Sequence, residues 1–240
     1  MKKLLYLPVF FICLHIPFSH AETDSAAEKN IKATLAGLIP DEPVTRIRTT
    51  PFDNLYEVLM GPNVIYMSGD GRYILKGDLL DMQTRTNLSE NERAMARESI
   101  FHNLTREEYI EFSPQNPQHI LYVFTDVNCS YCRRFHKDMP VLNEHGIGVR
   151  YLAYPRAGIG SRTAAMMQSV WCAADRKQAL TDAKNGKNIS VKQCKNPIEK
   201  DYLLGQKIGV RGTPAIYTEN GEELSGYMPP DELISIVSKL

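Results

Sequence analysis

Two cysteines separated by two residues, Cys129-Ser130-Tyr131-Cys132, follow directly on the apolar run Ile120-Leu121-Tyr122-Val123-Phe124. That spacing lets a disulfide close and reopen. The chemistry it offers is thiol–disulfide exchange, in which a thiolate attacks a disulfide sulfur. A strand ending at Thr125 and a helix opening near Cys129 would set the first sulfur at a helix N-terminus. Unpaired N–H groups and the helix dipole there favour thiolate over thiol.

The start of the chain indicates where such chemistry would occur. Lys2 and Lys3 precede an apolar stretch from Leu4 to Phe18, and Ser19-His20-Ala21 places small residues at cleavage positions. Residues 1–21 read as a secretory signal peptide. The stretch is short for a spanning helix and carries Pro8, His15 and Pro17. Ile12 precedes Cys13 where a lipoprotein signal requires a small residue, so Cys13 is expected to leave with the signal.

Of five cysteines, four then remain, an even number in an exported protein. Cys129 pairs naturally with Cys132 and Cys172 with Cys194. The second pair spans about 22 residues, and closing such a loop is worth ~3 kcal/mol on the chain-entropy model, so we assign it a structural role. A four-cysteine zinc site would require a second close pair, which Cys172 and Cys194 do not form. No metal and no cofactor is assigned. Lys plus Arg and Asp plus Glu are 28 each, and losing Lys2 and Lys3 leaves 26 against 28. This balance gives no electrostatic case for nucleic acid.

Stepping along the mature chain, Ile31, Leu35 and Leu38 mark a helix over Ala26 to Leu38, ended by Gly37 and Pro40. Val44 to Thr50, Leu55 to Met60, Val64 to Met67 and Arg72 to Leu75 read as an antiparallel meander punctuated by Pro51, Gly61-Pro62-Asn63 and Gly69-Asp70-Gly71. This unit carries no cysteine or histidine, which suits assembly better than chemistry. Ser89 with Glu92 and Thr105 with Glu108 match capping boxes, and Met95, Ile100, Phe101 and Leu104 supply an apolar stripe for a connecting helix over about 89–103. Ser113-Pro114-Gln115-Asn116-Pro117 then breaks regular structure. Beyond it come strand Ile147 to Tyr154, helix Thr163 to Arg176, a helical zone from Cys194 to Gly205, strands Ala215 to Thr218 and Glu223 to Gly226, and a last helix from Pro230.

The order β, α with the cysteine pair, β, helical insertion, β-β-α is thioredoxin-like. The fold class is α+β/α/β, with a small N-terminal α+β domain and a linker helix before the thioredoxin-like domain. Gly212-Thr213-Pro214-Ala215 places a proline just before a strand, where a cis bond would face the reactive pair. The Thr213-Pro214 backbone could then pair with a substrate segment by strand addition.

These residues, with Val123-Phe124-Thr125-Asp126, the run Val149 to Arg156, Trp171-Cys172-Ala173 and Gly226-Tyr227-Met228-Pro229-Pro230, resemble the DsbC/DsbG family of periplasmic thiol:disulfide isomerases. The resemblance implies a dimerisation domain over 22–88, a linker helix over 89–112 and a catalytic domain over 113–240. It also implies a homodimer, misfolded or mis-oxidised exported proteins as substrates, a membrane reductant of the DsbD type and accompanying chaperone activity. Cys129 would attack the substrate disulfide and Cys132 resolve the mixed disulfide, with Ser130, Tyr131, Thr213 and Pro214 forming the motif and substrate contact.

Ser130 departs from the glycine usual in this family; its hydroxyl would either donate to the thiolate or alter the helix start. Val123 replaces the buried carboxylate of many thioredoxin-fold enzymes, as the isomerase branch does. Asp126 reads as a solvated loop or capping residue ahead of a proton-transfer group, and Arg133, Arg134 and His136 as charges that either favour the thiolate or are simply exposed on the helix. The alternatives are a DsbA-type thiol oxidase and a non-redox periplasmic chaperone. Asn-x-Ser/Thr triplets at Asn87, Asn103, Asn128 and Asn188 are read as chance matches, given the bacterial periplasm that the resemblance implies.

Overall fold

The structure is a computed structural model that describes residues 25–224 and 226–240; the expected signal peptide and Cys13 lie outside the described residues. Helix α1 (Ala26–Leu38) starts where the Ser25 side chain accepts the Glu28 N–H. Strands β1 (Arg46–Thr49), β2 (Leu55–Met60), β3 (Asn63–Ser68) and β4 (Ile74–Leu75) form a four-stranded antiparallel sheet in that order. Because side chains alternate along a strand, Val58, Met60, Ile65 and Met67 face Ile31 and Leu35 of α1, while Leu59, Val64 and Tyr66 face the other way.

A short hairpin absent from the sequence reading, β5 (Leu80–Asp81) with β6 (Thr86–Asn87), delivers the chain into α2 (Leu88–His102). It also displaces the expected cap. Asn87 caps α2 by accepting the Glu90 N–H at 3.0 Å. Ser89 instead is buried, accepts from Leu79 N–H and bonds the Tyr66 hydroxyl, and Glu92 pairs with Arg46 and Arg48 of β1. Cross-sheet partners thus won these side chains from the helix end.

Thr105 and Glu108 do bond to each other, but around a turn rather than a helix, since Glu108 accepts from both the N–H and the hydroxyl of Thr105. The turn leads into β7 (Ile110–Phe112), so the segment expected as a linker helix to 112 is helical only to His102 and ends as an edge strand. Then follow β8 (His119–Thr125), α3 (Ser130–Lys137), α4 (Met139–Glu144), β9 (Ile147–Ala153), α5 (Arg162–Trp171), α6 (Arg176–Lys184), α7 (Ile198–Lys207), β10 (Ala215–Thr218), β11 (Glu223–Leu224) and α8 (Pro230–Val237). The five-stranded sheet has the order β11-β10-β8-β9-β7, with β8 and β9 parallel and the other pairings antiparallel.

One face of that sheet, through Leu121, Val123, Val149 and Tyr151, packs on α3, α5, α6 and α8. The other, through Tyr122, Phe124, Leu152 and Tyr217, meets Phe101 of α2, with the Phe101 and Tyr122 rings stacked at 4.5 Å. The single helix expected over Thr163 to Arg176 is two helices. The chain breaks at Cys172, and Asp175 caps α6 by accepting the Gln178 N–H. Likewise the helical zone placed from Cys194 starts only at Ile198.

Candidate active site

Cys129 is the N-cap of α3, and its sulfur accepts the Cys132 N–H at 3.4 Å. The residue that would do chemistry is therefore also the one that satisfies a helix-end donor, and a thiolate does this better than a thiol. The turn that sets it there is held by Asp126, whose Oδ1 accepts the Asn128 N–H at 2.7 Å. Asp126 is only 2% exposed, and its Oδ2 accepts from both the backbone N–H and Nε of Arg156, at 3.0 and 3.2 Å. The solvated reading of Asp126 is thereby corrected: burial of a carboxylate requires such partners.

From the other side, Ala215 of β10 pairs with Phe124 of β8, which brings the preceding residues level with the end of β8. The Thr213–Pro214 peptide is cis. The carbonyl oxygen of Thr213 lies 3.1 Å from Cys129 Sγ. The Thr213 hydroxyl is buried and satisfied by no other group, and it favours the ionised form of both sulfurs.

Neither Cys129 nor Cys132 is disulfide-bonded. Donation from the Cys132 thiol lowers Cys129 most, with further lowering from Thr213, the Cys132 N–H and the Arg156 charge outweighing the effect of burial. Burial raises Cys132, and its donation to Cys129 raises it further. The pair is thus divided into one ionised and one protonated sulfur, as a nucleophile and its resolving partner require.

Ser130 is exposed, and its hydroxyl makes no hydrogen bond among the described residues; the helix starts regularly across it. Tyr131 is 56% exposed, with its ring stacked on Tyr227 at 5.9 Å, and the Arg134 guanidinium lies over Tyr227. Arg133 donates to the Val127 carbonyl at 2.9 Å. His136 does not supply the expected positive charge. Its ring is buried between the Tyr151 and Thr181 hydroxyls, and desolvation, then the Lys184 charge, push it down to about 3. Cys172 and Cys194 are joined in a disulfide, tying the end of α5 to the segment before α7.

Two residues at the site carried no role in the sequence reading. Arg156 neutralises Asp126, and Lys184 lies buried behind Cys132, its Nζ donating to Thr125 Oγ1 at 2.7 Å. The signal for Lys184 was its place four residues after Leu180 and one after Ala183, on the inward stripe of α6.

A five-stranded sheet of this order, carrying a split-ionisation dithiol at the start of the helix after its central strand, defines a thioredoxin-fold dithiol exchange protein. Residues 106–240 match the family of thioredoxin-like domains, and residues 20–90 match the N-terminal domain of disulfide bond isomerase proteins. The chain is 36% identical to the thiol:disulfide interchange protein DsbC of Dickeya dadantii, over 99% of this chain and 95% of that one. To DsbC of Escherichia coli it is 33% identical, over 89% and 87%. A crystal structure of a disulfide interchange protein from Neisseria gonorrhoeae superposes with a TM-score of 0.51 at 28% identity, over 57% of this chain and 97% of the other. The chain belongs to the DsbC family of thiol:disulfide interchange proteins.

Proposed function

We propose that this protein is a periplasmic disulfide isomerase and reductase acting on misfolded or mis-oxidised exported proteins. The observation that carries the reading is Cys129 Sγ at the N-cap of α3, favoured as thiolate, above a buried and protonated Cys132. Cys129 attacks a non-native disulfide, and the substrate segment lies along Thr213 and Pro214. If a substrate thiol displaces Cys129, the substrate is isomerised; if Cys132 attacks first, it is reduced, and a membrane reductant of the DsbD type restores the dithiol.

Residues 1–21 direct export and are removed. The N-terminal unit pairs two copies and so holds substrate between facing catalytic domains, with chaperone activity accompanying exchange. What supports the pairing is the sheet edge at β4, where Tyr73, Ile74 and Leu75 are exposed, apolar surface that a second copy would cover.

Recovery of activity from scrambled ribonuclease in glutathione buffer tests this with residues 22–240. The protein should accelerate recovery, Cys129→Ala should run at background, and Cys132→Ala should accumulate mixed disulfide. Rapid oxidation of reduced ribonuclease without rescue of the scrambled form would instead establish a DsbA-type oxidase. Aggregation suppression undiminished in Cys129→Ala, with no exchange by the parent, would leave a holdase.

A further inference from the structure

Lys184 is a buried cation without a carboxylate. It is 3% exposed, donates 2.7 Å to Thr125 Oγ1 and 3.5 Å to the Cys132 carbonyl, and lies 5.1 Å from the Tyr151 ring centroid. Among the described residues it forms no salt bridge. An ammonium buried this way costs several kcal/mol unless an anion completes it, and an apolar side chain of similar volume would pack there at less cost.

The ionisable groups around it are Cys129, Cys132, Arg133 and His136 at α3, Asp126 in the loop before it, and Tyr151 on β9. Asp126 is already engaged by Arg156, His136 is neutral, and burial holds Tyr151 protonated. Arg133, the remaining cation, opposes the Lys184 charge. The sulfurs are the remaining anions, and Cys129 already has donors of its own.

We propose that Lys184 is a positioning residue for the second half of the exchange: it drives ionisation of Cys132 when the mixed disulfide is resolved. This rests on the exchange reading above. In the mixed disulfide Cys129 is bonded to substrate sulfur and no longer draws the Cys132 proton toward itself as a thiolate. The Cys132 proton passes to water, and the Lys184 ammonium beside the Cys132 backbone offsets the charge of the thiolate that forms. The Cys132 thiolate attacks Cys129 Sγ, the Cys129–Cys132 bond forms, and the Cys129–substrate bond breaks with its electron pair on the substrate sulfur. The substrate thiolate then takes a proton from water. Two electrons pass from the dithiol to the substrate disulfide, with no outside oxidant or reductant.

Burial brings Lys184 down to about 8, with Cys132, Cys129 and Asp126 pulling it back up, so near neutral pH it is mainly the ammonium and carries the charge that favours the Cys132 thiolate. Lys184 thereby sets how long a substrate is held, and so the balance between isomerisation and reduction.

The test uses residues 22–240, reduced, mixed with oxidised glutathione, with acid quench and mass analysis separating formation of the Cys129–glutathione adduct from its resolution. Lys184→Met should slow resolution about tenfold near pH 7 and move its pH profile up toward that of an unassisted thiol, while adduct formation changes less than about threefold. Thr125→Val, which removes the acceptor of Lys184 and adds no charge, should slow resolution in the same sense and decides the matter if Lys184→Met does not fold. Resolution within about twofold of the parent from pH 6 to 9 in a folded variant overturns the role of Lys184 and leaves the exchange reading intact. Failure of the parent to form the adduct overturns the exchange reading itself.

Discussion

Cys129 Sγ and the carbonyl oxygen of Thr213 lie 3.1 Å apart although 84 residues separate them in the chain. The contact exists because β10 runs antiparallel to β8 and delivers Thr213 just beyond the strand end from which the Cys129 turn departs. The neighbouring Thr213 hydroxyl has no other partner. Thr213→Val keeps the shape and removes that donor, so the Cys129 thiolate should be less favoured. Alkylation of Cys129 by iodoacetamide, followed against pH, should show its midpoint moved upward and the rate below the midpoint reduced about three- to tenfold, the net worth of one ordinary hydrogen bond.

His136 makes stability depend on acid. Its folded pKa, pushed down to about 3 by burial, is below the unfolded value near 6.5, so the unfolded chain binds the proton more readily. The contribution is full above about pH 6.5 and is lost as pH falls toward 3, at up to ~1.4 kcal/mol per pH unit for one proton. Urea unfolding between pH 7 and 4 should show this slope, and His136→Gln, which retains hydrogen bonding without titrating in this range, should flatten it.

The Cys172–Cys194 disulfide closes a loop of sequence separation 22 and includes neither sulfur of the reactive pair. Replacing both by alanine should lower unfolding free energy by ~3 kcal/mol through the unfolded chain. Denaturant midpoints of parent and double variant measure it, and the rate of Cys129 alkylation should be unchanged.

Gly221 joins the two units mechanically. Its φ is +79°, and a Cβ there would sit 2.1 Å from the Ala94 carbonyl oxygen, while its own carbonyl accepts from the buried Arg97 Nε at 2.7 Å. Gly221→Ala should therefore lower stability by about 2 kcal/mol or more and raise hydrogen exchange in the middle of α2, where Ala94 and Arg97 lie. Exchange at α2 equal to that of the parent would show that this contact does not hold the helix.

Much of this fold was legible because it is written in local periodicity. The 3.6-residue stripe of Ile31, Leu35 and Leu38 and the apolar β2 and β3 runs bounded by turn residues need no distant partner to be recognised, and α1 and β2 have the bounds expected. Three of the short strands were not. Hairpin β5–β6 and strand β7 have only two or three residues per strand, too few for a period, and exist by pairing with neighbours. Ser89 and Glu92 show the same limit from the side of polar chemistry. Their spacing fits a cap, and cross-sheet contacts with Tyr66, Arg46 and Arg48 redirected them.

At the site, the sequence alone determined where the two sulfurs lie relative to each other. Two cysteines three positions apart at a strand-to-helix junction put one sulfur at the helix start and the other one turn inside, a relation fixed by backbone geometry within four residues. What only the tertiary structure decided was the electrostatic setting of those sulfurs. Thr213, Arg156 and Lys184 come from three separate stretches, and His136, one turn beyond the pair, loses its charge to burial. Charge in a protein depends on what surrounds a group in space, through desolvation and through partners within a few ångströms, and neither is encoded in the order of neighbours along the chain.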